Sequence, residues 1–223
     1  MKNLLILMKM KYLFRKFVDN KNINSVSFRL RKERFDRFIK FLVIKNTDNI
    51  LDVGGTVATW IGSGFEKNVT LLNLSFDNEN KKFNYVLGDA CNMDMFSNQS
   101  FDIIYSNSVI EHVGKDKQKE FAKEIIRVGK KYWVQTPYKH FPIEPHFVFP
   151  FFQYYPVSIQ KFVGLNWQYS HYRIGNAKDS EILKDISQIY LLNKKELKNL
   201  FPGSKIFEEK FWGITKSLIA YKN

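Results

Sequence analysis

One cysteine, Cys91, stands in the whole chain of 223 residues. A disulfide needs two and a thiolate-held zinc or iron–sulfur centre needs several, so both architectures are excluded. A lone thiol suits a reducing, cytoplasmic setting. Long apolar runs are missing too. No uncharged stretch reaches the roughly 18 apolar residues of a membrane span, and the longest, Pro145 to Gln160, is interrupted by Pro150 and Pro156. The sequence holds no G-x-G-x-x-G, which removes the fingerprint of a dinucleotide-dependent oxidoreductase. Acidic residues are the scarce charge, 22 against 35 Lys and Arg, for a formal net charge of +13. Attraction to nucleic acid, anionic lipid or an acidic substrate is one reading of that excess. Lysine-rich solvated faces drawn from an AT-rich genome are the other, and the lysines are spread along the chain rather than packed into one block.

What is present begins with a core. Apolar residues make up 44% and aromatics 16%, ample for one domain with an embellishment. Residues 1–47 read as a basic, helical N-terminal segment and 48–223 as the main domain. Met1 to Val18 alternates leucines with Lys2, Lys9, Lys11, Arg15 and Lys16. Its apolar centre, Leu4 to Met8, is shorter than a signal peptide requires, and no small-residue cleavage site follows. Such a segment rests on a membrane surface or docks on its own domain or a partner. Ser25 to Val43 is expected to be an amphipathic helix, with Phe28, Leu30, Phe35, Phe38, Ile39 and Leu42 on its apolar stripe.

Asn49-Ile50-Leu51-Asp52-Val53-Gly54-Gly55-Thr56 then reads as a buried strand ending in a glycine turn. Short apolar strands follow at Val69–Ser75, Tyr85–Ala90, Phe101–Ser106 and Tyr132–Pro137, with helices at Val57–Gly62 and Lys115–Val128. That alternation indicates an α/β fold, a doubly wound and mostly parallel sheet covered on both faces. A helix over Asn193–Leu200 and a hairpin, Lys205–Phe211 and Ile214–Tyr221, close it with an antiparallel edge. Between them lies an insertion at about 138–192, where eleven Phe, Tyr or Trp residues fall between Phe141 and Tyr172. It reads as a lid or substrate platform, and a plain satellite core has the same composition.

Four of these turns together resemble the class I S-adenosylmethionine-dependent methyltransferases, of the small-molecule, type 11-like kind with a Rossmann-like seven-stranded sheet. Leu51-Asp52-Val53-Gly54-Gly55-Thr56 resembles that family's first motif, Asn73 sits where it usually has an acid, and Gly88-Asp89-Ala90 resembles its third-strand motif. Phe101 to Val113, which contains Ser106-Asn107 and Glu111-His112, is the most specific match. The resemblance implies S-adenosyl-L-methionine as cofactor. Gly54 and Gly55 would then admit the amino-acid part and ribose, Asp52 would organise the turn or meet the ammonium through water, and Asn73 would bind the ribose hydroxyls. Asp89 and the Ala90 N–H would read adenine, while Ser106 and Asn107 would line the methyl-donor side. Two departures stand out: Thr56 and Ala58 occupy places where further glycines are expected, and Asn73 lacks the charge that strengthens hydroxyl binding.

Methyl transfer is an in-line displacement governed by positioning, and an oxygen nucleophile also needs a base. His146, His140, Glu111 and His112 are the catalytic candidates. Each also has a structural reading, as do Asp52, Asp89 and Asn73 as turn or strand-end residues. No metal site is expected, since loop histidines such as these often only hydrogen-bond. The expected activity is methylation of a small-molecule or sugar-like acceptor, at oxygen. RNA methylation and a non-catalytic cofactor-binding protein of the same fold are the alternatives. Ser106-Asn107-Ser108-Val109 is not the Asn/Asp-Pro-Pro-aromatic signature of base amino-group methylases, and no separate RNA-binding module is visible.

Overall fold

The structure, a computed structural model, describes residues 26–76 and 80–223. The basic segment Met1–Val18 lies outside the described residues. Helices are numbered α1 (Val26–Leu42), α2 (Val57–Trp60), α3 (Gln118–Val128), α4 (Val157–Asn166), α5 (His171–Ile174), α6 (Asp179–Gln188) and α7 (Lys194–Leu200). The strands are β1 (Ile50–Val53), β2 (Val69–Asn73), β3 (Asn84–Leu87), β4 (Phe101–Asn107), β5 (Gly129–Pro137), β6 (Ile143–Glu144), β7 (Phe149–Pro150), β8 (Lys205–Phe211) and β9 (Ile214–Lys222). No described helix is long and apolar enough to cross a membrane.

The chain divides into two compact units. The larger comprises Leu42–Pro142 and Ser187–Asn223 and holds a seven-stranded sheet in the order β3-β2-β1-β4-β5-β9-β8. The first five of these pair in parallel, β9 runs antiparallel to β5, and β8 antiparallel to β9. This is the Rossmann-like arrangement expected from the strand–helix alternation. Alternate residues of the central strands point to opposite faces, and both sets are buried: Leu51, Leu72, Ile104 and Val134 on one, Ile50, Leu71, Ile103 and Trp133 on the other. α3 packs on the first set because Phe121, Ala122, Ile125 and Val128 recur at helical spacing and are all buried there. α7 is started by Asn193 and Glu196, whose side chains each accept the other's backbone N–H at 2.9 and 2.8 Å. Such a capping box contributes about 1 kcal/mol. The β8–β9 turn uses Trp212 and Gly213, both at positive φ, as a two-residue hairpin requires.

The smaller unit comprises residues 26–41 and Ile143–Ile186. Within it the aromatic insertion builds a core of its own. Phe147 stacks on Phe152 with ring centroids 4.0 Å apart, and Ile182 and Ile186 close around them. Gly164 lets α4 approach, since a Cβ there would lie 2.8 Å from Ile186 Cδ1. Part of the aromatic content read as a platform is therefore a satellite core.

Candidate cofactor and active site

In the larger unit, β1, β2, β3 and β4 all end at the same edge. The register sets Val53 beside Leu72 and Ser106, and Asn73 beside Leu87, so the turns that follow stand next to one another. The chain winds outward from β1 to β3 and then crosses back to β4 on the other side of β1. The crevice at such a reversal is where open α/β sheets bind ligands.

The glycine turn is built for close packing. Gly54 has φ +73°, donates its N–H to the Leu72 carbonyl at 2.8 Å, and has Val109 directly against its α-carbon, where a Cβ would come within 2.4 Å of Cγ2. A Cβ on Gly55 would meet the Asp52 carboxylate at 1.8 Å. Asp52 thus lies beneath the turn, 1% exposed. The Trp60 indole N–H donates to its Oδ2 at 2.6 Å, while Oδ1 has no hydrogen-bond partner among the described residues. Burial pushes the Asp52 carboxyl up to about 7, and the Trp60 hydrogen bond only partly offsets this. Trp60, buried and set edge-on to Tyr105 at 5.5 Å, is a site residue that sequence reasoning missed. Its only signal was an aromatic in the helix following the glycines.

The Asn73 amide donates to the Gly55 carbonyl at 2.6 Å, tying the end of β2 across to the turn after β1. A carboxylate cannot make this bond, which accounts physically for the neutral residue at a position expected to be acidic. Asp89 follows β3 and folds back on itself: its Oδ1 accepts the Cys91 N–H at 2.8 Å, and its backbone carbonyl accepts from Asn92. Oδ2 lies 3.8 Å from Lys117 Nζ on the solvent side. Ala90 is half-buried against the main core. Burial and the neighbouring Asp89 push the Cys91 thiol up to about 11, so it carries no thiolate at neutral pH.

Ser106 is fully buried and donates to the Val53 carbonyl at 3.2 Å. The expectation that it lines the methyl-donor side is corrected, because a side chain sealed between β1 and β4 supports the turn from below. Asn107, the last residue of β4, is half-buried at the strand end. The chain then bends through Ser108, which has φ +58° and bonds Gln135 through both its N–H and its hydroxyl. Glu111 is fully buried, accepts from Thr136 Oγ1 at 3.0 Å, and receives the Tyr190 N–H on its backbone carbonyl. His112 beside it is half-buried. His140 sets its ring edge-on to Tyr138 at 5.2 Å.

The turn residues, Asn73, Asp89, Asn107, Glu111, His112 and His140 all belong to the larger unit; His146 belongs to the smaller one. There its Nδ1 lies 2.6 Å from Oε1 of the buried Glu144, whose Oε2 accepts the Phe147 N–H at 2.7 Å. A carboxylate accepts, so in the neutral ring Nδ1 carries the proton and Nε2 is the basic nitrogen.

Residues 51–132 match the methyltransferase domain family. No curated protein matches the sequence significantly. Among solved structures, a protein of Pyrococcus horikoshii OT3 is similar at a TM-score of 0.56 and 17% identity, over 96% of this chain and 97% of that one. A SAM-dependent methyltransferase from Archaeoglobus fulgidus is similar at a TM-score of 0.52 and 12% identity, over 95% and 99%. The 1,6-didemethyltoxoflavin-N1-methyltransferase of Burkholderia thailandensis, solved with S-adenosylhomocysteine bound, gives a TM-score of 0.52 and 12% identity, over 99% and 89%. At these identities the neighbours speak for the fold, and the matched domain speaks for the chemistry. Residues 51–132 carry a methyltransferase domain, and the fold that holds it is shared with S-adenosylmethionine-dependent methyltransferases. The chain is an enzyme, and S-adenosylmethionine is its cofactor. The residues present suit that group: a glycine turn at the switch point lies above a buried carboxylate oxygen that has no donor of its own among the described residues.

Proposed function

We propose that the enzyme methylates a small-molecule or sugar-like acceptor at oxygen, with the cofactor held at the turns that follow β1, β2 and β3. The observation that carries the cofactor assignment is the Asp52–Gly54–Gly55 arrangement, an unsatisfied buried oxygen beneath a glycine turn at the switch point. S-adenosylmethionine, when bound, supplies a methyl group on a positive sulfonium. Gly54 and Gly55 admit its amino-acid part and ribose, and Asp52 offers an acceptor to its ammonium through water. Asn73 keeps its carbonyl oxygen for the ribose hydroxyls while its amide holds Gly55. Asp89 offers Oδ2 to the adenine amino group, its Oδ1 being occupied by the turn. Asn107 lines the donor side. Leu74, directly after Asn73 and 79% exposed, provides an apolar surface beside these groups.

A hydroxyl acceptor must lose a proton as it attacks. Glu111, His112 and His140 are the candidate acceptors of that proton in the larger unit, and His146, with Glu144 fixing its tautomer, is the candidate in the smaller. The name of the Burkholderia protein, 1,6-didemethyltoxoflavin-N1-methyltransferase, supports a small-molecule acceptor and, for that protein, puts the methyl on nitrogen. Incubating the enzyme with labelled cofactor and panels of glycosides, phenols and amines, then locating the methyl group by mass spectrometry, tests the reading. Methyl on oxygen is expected, and methyl on nitrogen or on RNA would overturn it. His146→Ala and His140→Ala, assayed separately with cofactor binding measured alongside, identify the base: the true one loses turnover and keeps binding.

The Asn73 contact carries its own prediction. Asn73→Asp, which restores the acid typical of the resembled family, is expected to weaken S-adenosylhomocysteine binding about tenfold at neutral pH, because two acceptors would then face each other at Gly55. Acidification should recover part of the loss as the new carboxyl gains a proton and donates. Calorimetric titration across pH measures both, and tighter binding by Asn73→Asp would contradict the role of the amide.

A further inference from the structure

We infer that residues 151–162 of the smaller unit form a docking surface for an anionic lipid bilayer. The insertion sorts its aromatics into two sets. Phe147 and Phe152 are buried in the unit's core, whereas Phe151, Tyr154, Tyr155, Val157, Ile159 and Phe162 are exposed, Phe162 to 69% and Phe151 to 53%. Six large apolar side chains exposed within twelve residues exceed the scattered surface apolars of an ordinary globule. Phe151 is held at φ +53°, an unfavourable conformation for a bulky residue, as the chain passes from β7 into the turn preceding α4.

The smaller unit carries a net positive charge. Lys161 is the one charged residue between 151 and 162, whereas over residues 143–186 Lys161, Arg173, Lys178 and Lys184 balance Glu144, Asp179, Glu181 and Asp185, and Arg173 pairs with Asp179 at 2.9 Å. In the same unit, residues 26–41 carry six Lys or Arg against Glu33 and Asp36. Residues 1–25 add six more cations against Asp19 alone. Exposed Phe and Tyr side chains with Lys161 among them, on a unit of net positive charge, match the two layers of an anionic membrane, an apolar boundary beneath a negative headgroup plane. A nucleic acid would call for cations at the centre of the patch, and the centre is apolar.

Sedimentation of the full chain with vesicles of phosphatidylcholine, alone or mixed with phosphatidylglycerol, tests the proposal. Binding is expected only when phosphatidylglycerol is present. The double substitution Ile159→Ser and Phe162→Ser should weaken it roughly tenfold or more, and Lys161→Glu roughly fivefold. All three residues are solvent-exposed, so thermal midpoint and S-adenosylhomocysteine affinity should stay unchanged in these variants. Absence of vesicle binding would overturn the proposal. So would vesicle binding that the substitutions leave intact, since it would then arise elsewhere in the chain. A concentration-dependent dimer that the double variant abolishes, without vesicle binding, would assign the surface to self-association instead.

Discussion

Gly55→Ala is expected to lose about 3 kcal/mol or more of stability and to bind S-adenosylhomocysteine too weakly to measure by calorimetry. The cause is steric rather than conformational, because Gly55 is not among the residues at positive φ. A methyl group there would lie 1.8 Å from Asp52 Oδ2 and 2.4 Å from Oδ1. The carboxylate has no easy retreat: it is buried, and the Trp60 indole N–H depends on it at 2.6 Å. Moving it breaks that hydrogen bond, and leaving it in place forces the turn outward into the space where the cofactor is proposed to bind. Gly62→Ala supplies the comparison. Gly62 is at φ +76° with nothing within 4 Å of the added carbon, so its substitution should cost about 1 kcal/mol and leave binding alone. Equal losses from the two substitutions, measured by denaturant unfolding, would refute the packing argument.

The stability of the free enzyme is expected to fall between pH 5 and pH 8, with Asp52 as the largest single contributor. Its carboxyl, ordinarily near 3.8, is raised to about 7 by burial. A raised folded-state value means that the native protein holds the proton more tightly than the unfolded chain. The stabilising contribution of the protonated form is complete below the unfolded value and is lost as pH rises through the folded one. Three units correspond to a cost on the order of 4 kcal/mol once the group is forced to ionise in place. Asp52→Asn keeps an acceptor for Trp60 and cannot ionise, so its thermal midpoint should be nearly flat over that window while the parent declines. Saturating S-adenosylmethionine, which brings positive charge toward the turn, should reduce the parent's decline by favouring the carboxylate. A parent protein whose midpoint rises from pH 5 to pH 8 would show that Asp52 is already ionised at the acid end.

The strands of the sheet were legible because a strand buried on both faces needs side chains that are apolar in either direction, and Ile50-Leu51, Leu71-Leu72 and Ile103-Ile104 advertise this in sequence. Their ends were less so. β5 begins at Gly129 rather than Tyr132, with Lys130 and Lys131 inside it, because Lys130 reaches Asp102 at 2.8 Å and Lys131 reaches the Leu42 carbonyl at 2.9 Å. Neither partner is adjacent in sequence. The third strand stops at Leu87, short of Ala90, because Asp89 turns the chain with its own side chain. In the candidate site, the turn at Gly54 and Gly55 was legible, since a glycine turn after an apolar strand is a local property.

What local sequence determined by itself was therefore the alternation of strands and helices, the antiparallel closing hairpin, the glycine turn and, through four motifs in order, the cofactor. The tertiary structure alone decided that Asp52 is buried under Gly55 and inclined to hold its proton. It also turned the Asn73 amide to the Gly55 carbonyl, sealed Ser106 against Val53, and sent Phe152 inward while Phe151 faces out. The reason is common to all of these. Protonation, hydrogen-bond direction and exposure are set by which distant residues exclude water from a group, and 18 or 53 positions separate these partners in the chain.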